Sequence, residues 1–475
     1  MNALVTGKET LVSIVKSISS YESSNVHQAL EQLLFQLGLD ERNAFTPRWN
    51  PLRDFISKGD KVLIKPNLIR QSHLYKPDWE HVITHGAVIA AVVQYVFRAL
   101  DGTGKIIIAD GPQTDSDFDR ICEVLQLEKL KQHYLREYGY EIQILDLREE
   151  RWLERDMVIV DRIKLPGDPR GYVEFDLGEQ SEFANQRCNL RYYGADYDFY
   201  QAQKYHLAGH HRYRIARTAL EADVFINLPK LKTHKKAGVT LSLKNIVGVH
   251  GDRNYLPHFV MGTPAEGGDE FPTNNVKAKL QSRMIRWFKA ALVHRGGKGG
   301  LGARVIKKLG YLVFGPTKEV IRSGNWYGND TTWRMTLDLN KILFYGNVDG
   351  TFRRQPRQKY LTIIDGIIGG EGDGPMAPDP KPCGVLIGGF NPVAVDTVGA
   401  ILMGFDYRKI PTIKRAWDIQ NFPLVAFKPE DIQCKSNVLE WSGNLFNLEK
   451  GPHLGFEPHF GWKGHIERDI AESLL

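Results

Sequence analysis

The chain has 475 residues, of which 42% are hydrophobic and 25% are charged, and its formal net charge is +6. These values are typical of a folded protein with a sizeable core, and they exclude wholesale disorder and a disulfide-stabilised miniprotein. The four cysteines are far apart and include no Cys-x-x-Cys pair, which argues against an iron–sulfur or zinc site and favours a reducing compartment.

The distribution of charge and hydropathy predicts where the chain resides. No window contains the ~18 consecutive apolar residues of a spanning helix, and the amino terminus has no apolar signal-peptide core. We therefore expect a soluble, cytoplasmic protein. The segment 271–325 has twelve Lys or Arg residues and one acidic residue, a net charge of +11, so the rest of the chain carries −5. This asymmetry favours a local anionic partner over specific nucleic-acid binding.

Apolar runs alternate with helical patterns in the first part of the chain. The runs predict strands over 61–68, 105–110 and 141–147, and the patterns between them predict helices over 81–100 and 117–138. This alternation indicates α/β units, with a mostly parallel sheet as the core and helices on both of its faces.

The regular pattern is lost over 151–215, which we interpret as short strands and loops. A buried strand is predicted over 222–230, and a basic loop follows over 229–248. Further strands are predicted over 360–366 and 385–390.

The last of these strands leads into a well-marked helix. Asn391 is a suitable N-cap, Pro392 fits the first helical position, and Gly404 is a suitable residue just beyond the helix end.

Polar loops follow four of the predicted strands, and ligands of open α/β sheets bind beyond the carboxyl ends of the strands. These loops carry basic and amide side chains that can hold phosphate or carboxylate oxygens. Some of them, such as Lys235 and Lys236, have the alternative interpretation of a solvated surface. The candidates for the anion site are Lys65, Asn67, Lys230, Lys232, His234, Lys244 and Asn245.

Acidic side chains form a second candidate cluster. Asp365, Glu371 and Asp373 alternate with glycines and predict a site for Mg²⁺ or Mn²⁺, although the same residues also stabilise turns. Asp110 ends a strand, whereas Asp396 lies within a helix, where pairing with a lysine is the alternative. A buried Lys–Asp pair between the two clusters would shift pKa values and supply a general acid or base.

Two further stretches belong to an expected insertion. Asp330 and Arg334 lie among aromatic and amide residues. This combination is typical of a pocket for a sugar or nucleotide, and equally of a hydrogen-bonded corner between domains. The stretch 276–295 is basic and has an apolar face, which predicts a helix for an anionic membrane surface or an ordinary surface helix. The glycine-rich stretch 295–302 fits a flexible hinge, and the insertion would then act as a lid.

Three blocks of sequence resemble one family. VLIKPN, LPKLKTH followed by TLSLKNIVG, and IIDGIIGGEGDGP followed by NPVAVDTVGAILMGFD are similar to the prokaryotic family DUF362, over about 60–410. The region 250–340 is similar to a longer subgroup of that family. Some relatives carry a ferredoxin-like module whose cysteines this chain lacks, so no iron–sulfur cluster is expected. The resemblance implies an α/β core and a site near Lys65, Asn67, Lys230, Lys232, His234, Lys244, Asn245, Asp365, Glu371 and Asp396.

The sequence thus predicts an α/β core formed by 1–250 and 340–475, with an inserted subdomain over 251–339. Our leading hypothesis is an enzyme that acts on a phosphorylated or carboxylated small molecule, with transfer or ligation favoured over hydride transfer because no G-x-G-x-x-G follows the first strand. A divalent metal, Mg²⁺ or Mn²⁺, would assist.

Each predicted site residue has an expected role. Catalysis is assigned to His234, Asp110 and Lys232, substrate binding to Lys65, Asn67, Lys230, Lys244, Asn245, Asp330 and Arg334, and metal binding to Asp365, Glu371 and Asp373. The alternatives are a non-catalytic scaffold that contacts an anionic membrane through 276–310, and a redox partner related to the cluster-bearing relatives. The oligomeric state stays open.

Overall fold

A computed structural model of the chain describes residues 7–155, 158–194, 200–273, 279–280, 283–284, 321–357 and 359–468. The strands, numbered in chain order, are β1 (Leu11–Lys16), β2 (Lys61–Pro66), β3 (Lys105–Asp110), β4 (Gln143–Asp146), β5 (Glu150–Arg155), β6 (Val158–Lys164), β7 (Tyr172–Asp176), β8 (Tyr192–Tyr193), β9 (Arg212–Ala216), β10 (Val224–Leu228), β11 (Lys230–His234), β12 (Gly238–Thr240), β13 (Phe259–Val260), β14 (Tyr360–Asp373), β15 (Ala377–Gly389), β16 (Gln433–Ser436) and β17 (Gly443–Asn444).

The α-helices of the described residues are α1 (Ser23–Gln36), α2 (Gly86–Leu100), α3 (Phe118–Val124), α4 (Leu127–Tyr138), α5 (Tyr200–Tyr205), α6 (Arg217–Glu221), α7 (Ser242–Asn245), α8 (Thr332–Tyr345), α9 (Pro392–Met403), α10 (Pro411–Ala416) and α11 (Leu445–Lys450). Two short 3₁₀ turns, Ile246–Val249 and Arg253–Tyr255, follow α7. None of the described helices combines the length and the apolar character needed to cross a bilayer.

One large sheet organises these elements. Its strand order is β17-β16-β1-β15-β14-β10-β2-β3-β4, and β11 and β12 form a hairpin that pairs with β14. The neighbours from β14 through β10, β2 and β3 to β4 are all parallel, whereas β15 is antiparallel to both β14 and β1. The prediction of a mostly parallel α/β sheet is confirmed.

Residues alternate between the two faces of this sheet, as the period of a strand requires. In β2, Val62 and Ile64 pack under α1, α2 and α4 on what we call the first face. Leu63 packs instead on the second face, where α8 covers the sheet, and α9 and α10 cover the same face beside it. The prediction of helices on both faces is therefore confirmed.

Most of the predicted elements are present, with ends displaced by a few residues. The predicted helix over 117–138 is two helices, because Gln126 between them adopts a left-handed conformation with φ of 57°. Asn391 caps α9 as expected: its side chain accepts hydrogen bonds from the backbone N–H groups of Val393 and Ala394. Gly404 follows the helix with φ of 95°, which a glycine adopts without strain.

Two predictions near the site are wrong. The expected loop over 229–248 contains β11, β12 and α7, because Lys230 and Lys232 pair with β14 and extend the sheet. The strand predicted over 360–366 continues to Asp373, because β15 pairs with it from Thr362 to Asp373 across an irregularity after Gly366. Asp365 is therefore in the middle of a strand and not at its end.

The predicted insertion is described only in part. Most of the basic stretch 276–310 lies outside the described residues, and the whole of the glycine-rich stretch 295–302 does. The described part includes α8, which begins within the predicted insertion and packs Leu337, Leu339 and Ile342 into the core of the second face. The division into a core and an insertion stays a prediction.

Candidate functional site

A cavity of about 260 Å³ lies at the carboxyl ends of β2 and β3, where the β11–β12 hairpin and α7 complete its wall. Sites in open α/β sheets are expected at this edge. Six of the residues predicted from the sequence line it: Asn67, Asp110, Lys232, His234, Lys244 and Asn245.

A buried ion pair lies beside the cavity. Lys65 Nζ is 2.7 Å from Asp110 Oδ1, and both side chains are almost wholly inaccessible to solvent. Asp110 also accepts hydrogen bonds from the backbone N–H groups of Leu68 and Gly111, at 2.7 and 2.9 Å. Burial lowers the pKa of Lys65, and Asp110 opposes that shift. The carboxylate of Asp110 is thus held in place by three donors.

Gly248 allows this pair to form. A Cβ atom at this position would lie 1.8 Å from Asp110 Oδ1 and 2.7 Å from Lys65 Nζ, far inside contact distance. The glycine at the end of the KNIVG sequence therefore permits a close approach of backbone to the ion pair.

A chain of side-chain amides connects the strands that form the floor of the site. Lys232 Nζ donates to Asn67 Oδ1 at 3.1 Å, Asn67 Nδ2 donates to Asn245 Oδ1 at 2.9 Å, and Asn245 Nδ2 donates to Asn227 Oδ1 at 2.8 Å. Because each amide both donates and accepts, the chain fixes all of these groups in one arrangement.

Lys232 has no proton left for a ligand when it is charged. Besides Asn67, its Nζ donates to the backbone carbonyls of Val82 and Pro375. Burial, together with the positive charges of Lys230 and Lys244, holds the pKa of Lys232 well below its usual value. These contacts favour a positioning role for Lys232.

Lys244 differs from Lys65, Lys230 and Lys232, whose ammonium groups all have bonded partners. It lines the cavity and is partly exposed, and among the described residues its Nζ forms no hydrogen bond and no ion pair. Burial and the neighbouring charges of Arg253 and Lys65 lower the pKa of Lys244 to about 7. At neutral pH a large fraction of this lysine is therefore an uncharged amine.

The short helix that carries Lys244 is held at its start by Asp396. The carboxylate of Asp396 accepts hydrogen bonds from the backbone N–H groups of Ser242 and Leu243, at 2.7 and 2.9 Å. Burial raises the pKa of Asp396 to about 7. The carboxylate thus orients α7, and within the described residues it bonds to these amides and not to a lysine.

His234 presents a donor to the cavity. Its Nδ1 accepts hydrogen bonds from the backbone N–H groups of Lys236 and Ala237, at 3.0 and 3.2 Å, so in the neutral ring the proton is on Nε2. Burial and the surrounding lysines hold the pKa of His234 well below its usual value. A neutral imidazole that donates from Nε2 can polarise a ligand oxygen.

Two lining residues escaped the sequence interpretation. Arg253 donates to the backbone carbonyls of Gly111 and Pro112, and burial lowers its pKa to about 10. The Nδ1 of His258 lies 2.8 Å from the Leu256 carbonyl oxygen, so its proton is on Nδ1 and the lone pair of Nε2 is free to accept. Both residues lie within ten residues after the KNIVG sequence (244–248), and this closeness to predicted site residues is the feature of the sequence that could have identified them.

Lys230 and Asp365 form a separate buried network on the first face of the sheet. Lys230 Nζ is 3.0 Å from Asp365 Oδ2, and both side chains are fully buried. The hydroxyl of Tyr21 bridges them, donating to Asp365 Oδ1 at 2.8 Å and accepting from Lys230 Nζ at 2.6 Å. The backbone N–H of His85 donates to the same carboxylate at 2.9 Å. Neither Lys230 nor Asp365 lines the cavity.

The other two predicted metal ligands lie beside different basic side chains. Glu371 is 2.9 Å from Lys381 Nζ, and Asp373 is 3.3 Å from His459 Nε2. Within the described ranges, no group of three or more His, Cys, Asp or Glu side chains comes together in a way that could hold a metal ion. The structure therefore does not bring Asp365, Glu371 and Asp373 together.

Asp330 and Arg334 pair with each other at the start of α8. Arg334 Nη2 is 2.8 Å from Asp330 Oδ2, its guanidinium stacks on Trp333 at 4.3 Å, and it donates to the Glu182 carbonyl. Neither residue lines the cavity. Their contacts are those of the hydrogen-bonded corner that the sequence left open as an alternative.

Comparisons with known proteins agree with the resemblance seen in the sequence. The chain is 23% identical over 405 residues to thylakoid-associated protein sll1697 of Synechocystis sp., and the alignment covers 84% of this chain and 78% of that protein. The model of the family DUF362, described as a domain of unknown function, matches residues 62–169 and 180–401. Since this match covers more than half of the chain, the protein belongs to the DUF362 family.

Proposed function

We propose that this protein is an enzyme that binds a phosphorylated or carboxylated small molecule in the cavity beside Lys244. The observation that carries the proposal is the Nζ of Lys244, a cavity-facing amine that lacks any hydrogen bond or ion pair in the described part of the chain. An unpaired cation taken out of water destabilises a fold. Such a group is typical of a functional site.

The charge balance of the cavity supports an anionic ligand. Lys232, Lys235, Lys244 and Arg253 line it, whereas the acidic residue among its described lining residues, Asp110, is already paired with Lys65. Ammonium and guanidinium groups are the usual protein ligands of phosphate and carboxylate oxygens.

The other lining groups suggest how a ligand would be oriented. His234 would donate from Nε2 to a ligand oxygen, and the amide chain through Asn67 and Asn245 would keep Lys232 and the cavity floor fixed. Transfer or ligation stays the predicted reaction class, and assistance by Mg²⁺ or Mn²⁺ stays a prediction, as does a cytoplasmic location.

Thermal melting tests the proposal. The metal-stripped protein is melted with sulfate, phosphate, sugar phosphates and carboxylates, each with and without Mg²⁺ or Mn²⁺. A ligand at 100 times its dissociation constant stabilises the folded state by about 2.7 kcal/mol, which produces a measurable shift. A shift that requires the metal would support a joint site for metal and anion.

Variants decide whether the shift belongs to this cavity. Lys244→Met removes the charge at nearly constant length and should abolish the anion-dependent shift. Lys414→Met is the matched control, because Lys414 is an exposed lysine on α10 that does not line the cavity. Equal shifts in wild type and Lys244→Met would refute the proposal.

A second candidate function is contact with an anionic membrane surface through 276–310. It is supported by the net charge of +11 over 271–325, and by the name of the Synechocystis relative, which describes that protein as thylakoid-associated. Salt-sensitive sedimentation with vesicles of phosphatidylglycerol, lost on deletion of 276–310, would support it. No sedimentation at low salt would refute it.

The third hypothesis, a redox partner, stays a prediction. Burial raises the pKa of the Cys383 and Cys434 thiols to about 11 and about 12, so both are protonated at neutral pH. Thiols of this kind are poor nucleophiles and poor metal ligands.

A further inference from the structure

The geometry points to Lys244 as a nucleophilic amine whose Nζ attacks the carbonyl carbon of an anionic aldehyde or ketone in the cavity and forms an imine. This inference rests on the proposed function, because it uses the same cavity and the same anionic class of ligand. It adds a covalent role for a residue that the sequence assigned to binding alone.

The backbone around Lys244 is fixed, and within the described structure the end of its side chain has no hydrogen-bond or ion-pair partner. On the amino-terminal side, Asp396 accepts from the backbone N–H groups of Ser242 and Leu243, and Asn340 Nδ2 donates to the Leu243 carbonyl at 2.9 Å. On the other side, the Asn245 amide is held in the chain of amides. A nucleophile requires this combination of a fixed stem and an unengaged reactive atom.

Positive charge around Lys244 favours the neutral amine. Burial lowers the pKa of Lys244 most, and the positive charges of Arg253 and Lys65 lower it further. Lys232 lines the same cavity. The nearby carboxylate, Asp110, is neutralised by Lys65 at 2.7 Å. With a pKa of about 7, roughly half of Lys244 is uncharged at neutral pH, against about one in three thousand for an ordinary lysine.

The two lining imidazoles have complementary roles. His234 carries its proton on Nε2 and can donate to the carbonyl oxygen, whereas His258 carries its proton on Nδ1 and offers the Nε2 lone pair. Both rings are kept neutral, because burial and nearby lysines lower their pKa values well below the usual value. One ring is thus a donor and the other an acceptor.

The step balances without an oxidant or a reductant. The Nζ lone pair forms the new C–N bond while the carbonyl π electrons move to oxygen, which gains a proton as nitrogen loses one. His258 can accept the proton from nitrogen and return it to the departing hydroxyl. Loss of water then gives the C=N bond, so amine and carbonyl yield imine and one water.

Reductive trapping tests this role on the full-length protein. Glyoxylate, a small carboxylate with an aldehyde group, is added at pH 7 together with sodium cyanoborohydride, which reduces an imine to a stable carboxymethyl amine. Peptide mapping by mass spectrometry then gives the labelling rate of each lysine. We expect Lys244 to be labelled roughly tenfold or more faster than exposed Lys414, and sulfate to slow it. Lys244→Arg should keep a sulfate-dependent melting shift and lose the adduct.

The outcomes separate this inference from the function on which it rests. If sulfate raises the melting temperature of wild type but Lys244 is labelled no faster than Lys414, the nucleophilic role is overturned and the anion site stands. If sulfate, phosphate and glyoxylate all leave melting unchanged and Lys244 is not labelled preferentially, both are overturned. Because the main readout is on wild type, a variant that fails to fold does not affect this decision.

Discussion

Replacing Lys244 by methionine should stabilise the protein, and the gain should depend on pH. The pKa of Lys244 is about 7 in the folded protein and 10.5 for an unperturbed lysine. A pKa difference of about 3.5 corresponds to about 5 kcal/mol of unfavourable free energy for the charged folded state. Methionine fills a similar volume without a charge, so it removes this penalty. Partial exposure of Lys244 makes the figure an upper limit, and we expect a gain of about 2–5 kcal/mol.

The sign of the pH dependence follows from proton binding. Between about pH 7 and pH 10.5 the folded protein binds fewer protons at Lys244 than the unfolded chain does, so wild-type stability rises with pH in that window. Below about pH 7 the penalty is complete. The advantage of Lys244→Met should therefore be largest at pH 6 and shrink by up to about 1.4 kcal/mol per pH unit above pH 7.

Urea denaturation of both proteins at pH 6, 7, 8 and 9, followed by tryptophan fluorescence, measures this difference. Lys414→Met should change the midpoint by less than the equivalent of about 0.5 kcal/mol at every pH, as exposed substitutions do. The reasoning is refuted if Lys244→Met is less stable than wild type at pH 6, or if its advantage does not narrow with pH.

Three further predictions address the ion pairs and the cavity. Asp110→Asn leaves buried Lys65 without its ion-pair partner and should lower the free energy of unfolding, measured by urea denaturation, by roughly 3–5 kcal/mol. Adding Lys65→Met to this variant should recover most of the loss. A double variant that is no more stable than Asp110→Asn would contradict the pairing. Asp365→Asn should lower the free energy of unfolding by a similar amount, because it leaves buried Lys230 without its ion-pair partner. Its affinity for sulfate, measured by calorimetry, should equal that of wild type because Asp365 does not line the cavity. A weaker affinity would contradict the separation of Asp365 from the cavity. Above pH 7 sulfate keeps its charge while Lys244 loses its own, so the affinity of the protein for sulfate should fall by up to about tenfold per pH unit between pH 7 and 9. Calorimetry at pH 8 should show the uptake of nearly one proton when sulfate binds. A sulfate affinity that does not change with pH would contradict this prediction.

The sequence was informative wherever strands carry a local signal. Apolar runs located β2, β3 and β10, and the rule that ligands bind beyond the carboxyl ends of parallel strands brought Asn67 and Asp110 to one cavity. The structure contains two buried Lys–Asp pairs of the kind considered from the sequence, Lys65 with Asp110 and Lys230 with Asp365.

Asp365 shows what local patterns cannot determine. Its position after an apolar run and before a glycine-rich stretch looked like a strand end, but pairing with β15 extends the strand beyond it. Ile363 packs on the first face of the sheet and Ile364 on the second. Because side chains alternate between the faces, Asp365 lies on the first face, where the Tyr21 hydroxyl donates a hydrogen bond to it. Tyr21 lies 344 residues earlier in the chain, so no local pattern could connect the two.

The same limit explains the missed residues. Arg253 and His258 lie in irregular turns after α7, where no periodicity marks a side chain as inward-facing. Their roles depend on backbone carbonyls of Gly111, Pro112 and Leu256, which become neighbours only in the folded protein. The tautomer of each histidine is likewise determined by such contacts and not by its neighbours in sequence.

Two residues at the site connect its stability to its chemistry. Asp396 is buried and Lys244 is partly exposed, and desolvation brings the pKa of each to about 7 from opposite directions. The carboxylate of Asp396 accepts hydrogen bonds from two backbone N–H groups, and these bonds offset the cost of its burial and stabilise the start of the helix. Lys244 has no such match in the described structure. Packing alone would favour an apolar residue there, and the unpaired amine is therefore the reason for our proposal that a ligand supplies the missing partner.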